Sequence, residues 1–179
     1  MSDAKTIGLF YGSSTCYTEM AGEKIRTTLH NLMGEARVDF FNIADTPLIQ
    51  TQFYDFLIFG IPTWDYGELQ EDWEEIWDEL DRLDFNGKKI AIYGLGDQIG
   101  YPEWFLDAMG YLHSKLVHRG AIPCGYWPRA GYQFDASKAL TPDEQYFVGL
   151  ALDDENEFQL SDARIQQWCV QVLQEFGCE

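Results

Sequence analysis

Basic residues are scarce in this sequence. Twelve Lys and Arg stand against thirty Asp and Glu, giving a formal charge of -18 at pH 7. Nucleic acids and anionic membranes are gripped by clustered Lys and Arg, so neither is an expected partner. The four cysteines (Cys16, Cys124, Cys169, Cys178) show no C-x-x-C spacing, which speaks against a disulfide framework or a zinc site. The three histidines, His30, His113 and His118, are scattered and read as surface or helix-side residues rather than metal ligands. No apolar run approaches the roughly 18 residues of a membrane span. The opening MSDAKTIGLFYG lacks the basic segment and long apolar stretch of a secretory signal. Repeats and low-complexity stretches are also missing. These absences together predict a soluble protein of a reducing, cytoplasmic setting, and a monomer, since no oligomer seam is readable.

What is present is core material. Hydrophobic residues make up 46% of the 179 and aromatics 16%, which excludes a disordered acidic tail. The length suits one domain over residues 1–179, burying roughly 70% of its extended-chain surface. Short apolar runs alternate with helical patterns. Strands are expected at Thr6–Tyr11, Arg37–Ile43, Tyr54–Gly60, Lys88–Gly94 and Ala121–Trp127, with a further strand-like run at Phe147–Asp153. Helices are expected at Met20–Leu32 (inner face Ala21, Ile25, Leu29, Leu32), Glu71–Leu83 (Trp73, Ile76, Trp77, Leu80, Leu83) and Pro102–Arg119 (Phe105, Ala108, Met109, Leu112, Leu116). A last helix, N-capped by Ser161, carries Ile165, Trp168, Cys169, Val172, Leu173 and Phe176. Residues 128–145, rich in Gly, Pro, Ser and charge, read as an insertion. The alternation implies βαβ units, a parallel sheet and helices on both faces. Ligands of such sheets sit beyond the carboxyl ends of the strands, which narrows the search to the loops after Tyr11, Gly60 and Gly94.

The first loop, Gly12-Ser13-Ser14-Thr15-Cys16-Tyr17-Thr18, offers four hydroxyls, a phenol and backbone N–H groups at a helix N-terminus. That is an anion cradle without a cation. It has no Gly-Lys-Ser/Thr, so it is not a Walker loop; the bland alternative is an ordinary N-capped turn. The second loop, Ile61-Pro62-Thr63-Trp64-Asp65-Tyr66-Gly67-Glu68-Leu69-Gln70, and the third, Gly94-Leu95-Gly96-Asp97-Gln98-Ile99-Gly100-Tyr101-Pro102, each carry a large aromatic, Trp64 and Tyr101. Two such rings could sandwich a planar group, or simply pack. Gly94 and Gly96 with Gly100 miss the G-x-G-x-x-G spacing, which argues against a dinucleotide loop. Between Glu68 and Asp81, eight of fourteen residues are acidic. Such a run is either a solvated helix face or a docking surface.

GLFYGSSTCYT, GIPTWDYGELQEDW and YGLGDQIGYPEWFLDA, in this order and at these strand ends, resemble the phosphate loop and the two flavin loops of the flavodoxins. The likeness spans essentially the whole chain. The insertion before FVGLALD resembles the long-chain subclass, nearest the flavodoxin-2 type. The resemblance implies a three-layer, doubly wound, five-stranded parallel sheet of order 2-1-3-4-5, its fifth strand interrupted by the insertion; flavodoxin is itself a standard example of the switch-point rule. It also implies a tightly, non-covalently bound FMN. Ser13, Ser14, Thr15, Cys16, Tyr17 and Thr18 would surround the phosphate. Trp64 and Tyr101 would flank the ring. Pro62, Thr63, Asp65, Tyr66, Gly67, Leu95, Gly96, Asp97 and Gln98 would lie along its edges. No role is carried onto Asp153. The family pattern often has Gly where Cys16 stands, and Cys tolerates φ > 0 less well. Neither Asp65 nor Tyr66 is Gly, so turning their shared peptide should cost more, and this bears on the gap between the two one-electron couples.

The implied activity is that of a low-potential, one-electron carrier, not an enzyme. It would take electrons from a basic partner such as a flavodoxin/ferredoxin-NADP reductase and pass them to acceptor enzymes. The acidic run beside Trp64 would serve the docking. An FMN-dependent NAD(P)H:quinone reductase on the same kind of fold is the alternative, but a nicotinamide phosphate site usually calls for basic residues. A phosphoacceptor receiver domain would need acids where Gly12-Ser13-Ser14 stand.

Overall fold

A computed structural model describes residues 5–34 and 37–178. The N-terminal residues that bear on a leader, 1–4, lie outside that range. Along the chain, β1 (Ile7–Tyr11) leads to α1 (Tyr17–Met33), β2 (Val38–Asn42), a 3-10 turn (Leu48–Phe53), β3 (Phe56–Trp64), β4 (Glu68–Leu69) and α2 (Glu71–Ile76). A 3-10 stretch (Trp77–Arg82) precedes β5 (Lys89–Leu95) and α3 (Asp107–His118). Then come β6 (Ile122–Cys124), β7 (Trp127–Pro128), β8 (Tyr146–Phe147), β9 (Leu150–Leu152) and α4 (Phe158–Phe176).

The main sheet runs β2-β1-β3-β5-β6, all neighbours parallel. All five β1 residues are buried, as befits a central strand covered on both faces. The fifth position is shared. β6 pairs with Lys89–Ala91 of β5, and β9 pairs with Tyr93–Leu95 above it. The fifth strand is therefore split, and β7 and β8 pair antiparallel within the intervening chain. The expected order 2-1-3-4-5, with an interrupted last strand, is what the sheet shows. α1 packs beside α4, where the Cys169 thiol meets the Ile25 carbonyl. α3 packs on β3 and β5 beside the 3-10 stretch that follows α2.

Several boundaries differ from the sequence expectation, for physical reasons. The third helix starts at Asp107, not Pro102. Leu106 is left-handed (φ 61), and the Pro102 carbonyl accepts N–H bonds from Asp135 and Ala136 of the insertion instead of from the next turn. The helix expected over Glu71–Leu83 turns to 3-10 geometry at Trp77. Like-charge pairs four apart, such as Glu71 with Glu75 and Glu75 with Glu79, contribute to that break. Leu32 is exposed rather than inward, and Met33 packs on the core in its place. Ser161 is no N-cap. α4 begins three residues earlier, and the buried Ser161 hydroxyl donates to Asp154. The remaining inner-face residues expected of α3 and α4 are buried. Among the described residues no helix is long and apolar enough to cross a membrane.

His113 departs from a surface reading. Its Nε2 lies 2.7 Å from the Tyr126 hydroxyl, and burial pushes its pKa down to about 4. An unfolded chain would protonate His113 near its ordinary 6.5, whereas the folded chain would not until about 4. Its contribution to stability is therefore intact above pH 6.5 and is lost as pH falls towards 4. Urea unfolding across this window should show a shallower acid decline for His113→Gln than for wild type. Equal slopes would contradict the burial account.

Candidate functional site

At the carboxyl ends of β1, β3 and β5 the three loops meet around an open cleft of about 250 Å³. Pockets that engulf a small molecule run to roughly 300–1,000 Å³, so a ring system here would keep an edge at the surface. Thr15, Tyr17 and Thr18 reach the cleft from the first loop, and Pro62, Thr63, Trp64 and Asp65 from the second. Leu95, Gly96, Asp97 and Tyr101 reach it from the third. Asp154 and Glu155 enter from the segment after β9. No Lys or Arg among the described residues lines it, but four carboxylates do: Asp65, Asp97, Asp154 and Glu155. Burial raises the Asp154 pKa, with the Ser161 hydroxyl working against the shift.

The first loop presents unpaired hydrogen-bond donors. Among the described residues, the N–H groups of Ser13 to Glu19 donate to no backbone or side-chain acceptor; pairing resumes where Met20 N–H bonds the Cys16 carbonyl. They converge at the N-terminus of the 17-residue α1, whose dipole favours negative charge. The buried Ser13 Oγ likewise has no partner among the described residues. Ser13, Ser14 and Cys16 do not line the cleft itself. The Ser14 hydroxyl accepts from Gln70 Nε2 at 2.9 Å. Cys16 is exposed and left-handed (φ 69), the backbone state for which Gly is better suited. Thr18 is buried, and its carbonyl accepts from the Tyr93 hydroxyl at 2.9 Å.

The second loop is pinned at both ends. The Thr63 hydroxyl oxygen accepts the Ala108 N–H at 3.0 Å, so this side chain also caps α3. Glu68 and Leu69 pair back on Trp64 and Thr63. Asp65 is strained at φ 43, and its carboxylate raises the pKa of the Tyr101 phenol beside it. The tips of the second and third loops are thereby brought together. Trp64 is 37% exposed. Tyr66 stands outside the cleft, edge-on to Tyr101 and Trp104, and Gly67 is buried behind it.

In the third loop the structure separates neighbours that the sequence treated alike. Asp97 faces the cleft while its Oδ1 accepts the N–H groups of Ile99 and Gly100, closing the turn. Gln98 points the other way. It is 3% exposed, donates to Asp153 and Glu157, and accepts the Gln133 N–H of the insertion at 2.6 Å. Its side chain braces the loop against the insertion rather than lining the cleft. Asp153, to which no role was assigned, is the buried anchor of that brace. Sequence reading missed Asp154 and Glu155. Their signal was present, since they follow the end of a strand as the other loops do. It also missed Gln70, for which there was no signal.

The flavodoxin family model matches residues 9–168. The chain belongs to the flavodoxin family. It is 58% identical over 172 residues to Flavodoxin 2 of Escherichia coli, covering 96% of each chain. A Nostoc flavodoxin is 46% identical over 174 residues, covering 97% of this chain and 99% of its own. In structure the chain resembles a Fusobacterium nucleatum flavodoxin bound to flavin mononucleotide, with TM-score 0.87, 29% identity, and coverage of 96% and 99%. Cys16 holds its left-handed conformation at φ 69 without being glycine, which costs backbone energy. Cys16→Gly should stabilise it in urea by up to about 1 kcal/mol, net of the extra freedom of an unfolded glycine. Cys16→Val should destabilise it. The reverse order would show that the left-handed turn costs nothing.

Proposed function

We propose that this flavodoxin is a low-potential, one-electron carrier that binds FMN tightly but non-covalently across the three loops. Flavodoxins are electron-transfer proteins rather than enzymes, and the quinone-reductase alternative is not favoured. The observation that carries the reading is the pairing of a cation-free anion cradle at one end of the cleft with the Trp64 and Tyr101 rings at the other. The orphaned Ser13 Oγ and the undonated N–H groups fit a phosphate monoester held by neutral donors.

Bound FMN would supply the redox chemistry. The chain supplies the rest. Ser13, Ser14, Thr15, Cys16, Tyr17 and Thr18 hold the phosphate through hydroxyl and N–H groups. Trp64 and Tyr101 flank the ring and restrict water, with Pro62, Thr63, Asp65, Tyr66, Gly67, Leu95, Gly96 and Asp97 along its edges. The four cleft carboxylates set a negative field at the site. Such a field disfavours each added negative charge and so lowers the reduction potential.

Residues 1–179 are read as one FMN-binding domain, a cytoplasmic monomer, with the insertion at about 128–145. Its partners would be basic, a flavodoxin/ferredoxin-NADP reductase type of donor and electron-accepting enzymes. Support comes from the acidic run, in which seven of the eight acids from Glu68 to Asp81 are exposed next to the Trp64 loop. The purified protein should be yellow, with FMN released on denaturation, and NADPH alone should not bleach it. A colourless protein that takes up no FMN, or direct bleaching by NADPH, would contradict the reading. Electron transfer with a basic reductase should slow steeply as salt rises; a flat dependence would remove the docking role.

A further inference from the structure

We propose that Gln70 is a positioning residue for the anion cradle, holding the Ser14 hydroxyl as a hydrogen-bond donor to the phosphate. The proposal rests on the FMN reading above. Gln70 sits between β4 and α2 and is fully buried. It lies directly beneath the first loop. A side chain at Gly12 would begin 2.5 Å from Gln70 Oε1, so the loop approaches this amide more closely than any residue but glycine allows. Both hydrogens of the amide nitrogen are engaged. Nε2 donates to Ser14 Oγ at 2.9 Å and to Asp72 Oδ2 at 2.8 Å.

Those two bonds decide polarity. Turned the other way, the amide would set its carbonyl oxygen against the Asp72 carboxylate, acceptor against acceptor. Asp72 therefore fixes which end of Gln70 faces Ser14. A hydroxyl has one hydrogen and two lone pairs. With an N–H from Gln70 on its oxygen, Ser14 cannot spend its hydrogen on Gln70. Ser14 is exposed on the cradle, so that hydrogen is left for an arriving anion. In a loop without Lys or Arg, each neutral donor that is already oriented matters more, because no point charge compensates for a misdirected one.

A second observation marks the spot. Gln70 Oε1 is buried and has no hydrogen-bond partner among the described residues, and neither has Ser13 Oγ in the loop above it. Buried polar atoms are nearly always paired, and such exceptions gather where structure serves binding. An acidic side chain thus contributes to anion binding through a neutral relay, from Asp72 to Gln70 to Ser14. Nothing in the residue pattern of the second loop announces this role.

The test compares FMN with riboflavin, which shares the ring and lacks the phosphate. Dissociation constants for both are measured by flavin fluorescence quenching on wild type, Gln70→Met, Ser14→Ala and the double variant, after FMN removal. Gln70→Met is close in volume and adds no charge, so it preserves the packing beneath the loop. Gln70→Met should weaken FMN about tenfold, the scale of a hydrogen bond to a charged group, and leave riboflavin unchanged. In the Ser14→Ala background the same change should add nothing. Equal weakening of both ligands, an unchanged FMN affinity, or a full Gln70→Met effect without the Ser14 hydroxyl would each overturn the proposal. Failure of the FMN reading would look different: wild type would bind neither flavin, or would bind riboflavin as tightly as FMN.

Discussion

A chain of charge -18 offers an incoming anion no long-range attraction, so short-range donors are what remain. The loop after β1 meets that constraint with groups that carry no net charge, the N–H groups of Ser13 to Glu19 at the head of α1 and the hydroxyls beside them. Such groups act only at short range and only when aimed, and the residues beneath the loop are buried and hydrogen-bonded. Trp73 and Gln70 are both fully buried there, and Trp73 Nε1 donates to the Gly60 carbonyl at 3.0 Å. Gly60 in turn accepts the Gly12 N–H, which ties the root of the cradle to β3. The left-handed Cys16 is part of the same geometry: the chain turns sharply there to present its N–H groups.

The far side of the cleft is organised by a different element. The split of the fifth strand into β6 and β9 makes room for the insertion, and the insertion returns along the third loop. Gln133 bonds Gln98, Asp135 and Ala136 bond the Pro102 carbonyl, and Lys138 N–H bonds the buried Asp107 at 2.8 Å. The inserted chain thus binds to the loop that carries Tyr101 and to the helix that follows it. Because Thr63 caps that same helix, the second loop shares the support. Burial raises the Asp107 pKa, while the Lys138 N–H works against the shift. The result is a cleft whose two aromatic walls are held by one network of backbone donors.

Much of this is legible in the sequence alone. Continuous apolar runs such as IGLFY and FLIFG mark central strands, because burial on both faces leaves no alternation to disguise them. The inner faces of α3 and α4 follow from spacing alone. The loops of interest follow from where those strands end. What stayed hidden is tertiary. Nothing local tells that Gln98 turns inward while Asp97 turns outward, since the difference is made by Asp153 and Gln133, far away in sequence. The late start of α3 depends on the insertion taking the Pro102 carbonyl. Ser161 looks like an N-cap because Ser commonly is one; here Asp154 takes its hydroxyl and the helix begins earlier. Gln70 is an ordinary loop residue in sequence and a buried bridge between Ser14 and Asp72 in space.

Charge then connects the two halves of the site. Carboxylates around the cleft would favour docking of the proposed basic partner and would oppose both the negative charge that reduction brings and a bound phosphate. Neutral, short-range donors are the arrangement that lets all three coexist. The dependence of FMN affinity on ionic strength tests this most directly. Neutral-donor binding in a repulsive field predicts an affinity that holds or rises as salt is added, because screening removes repulsion and leaves the hydrogen bonds. An affinity that falls steeply with salt would mean that a cation holds the phosphate, and would contradict it.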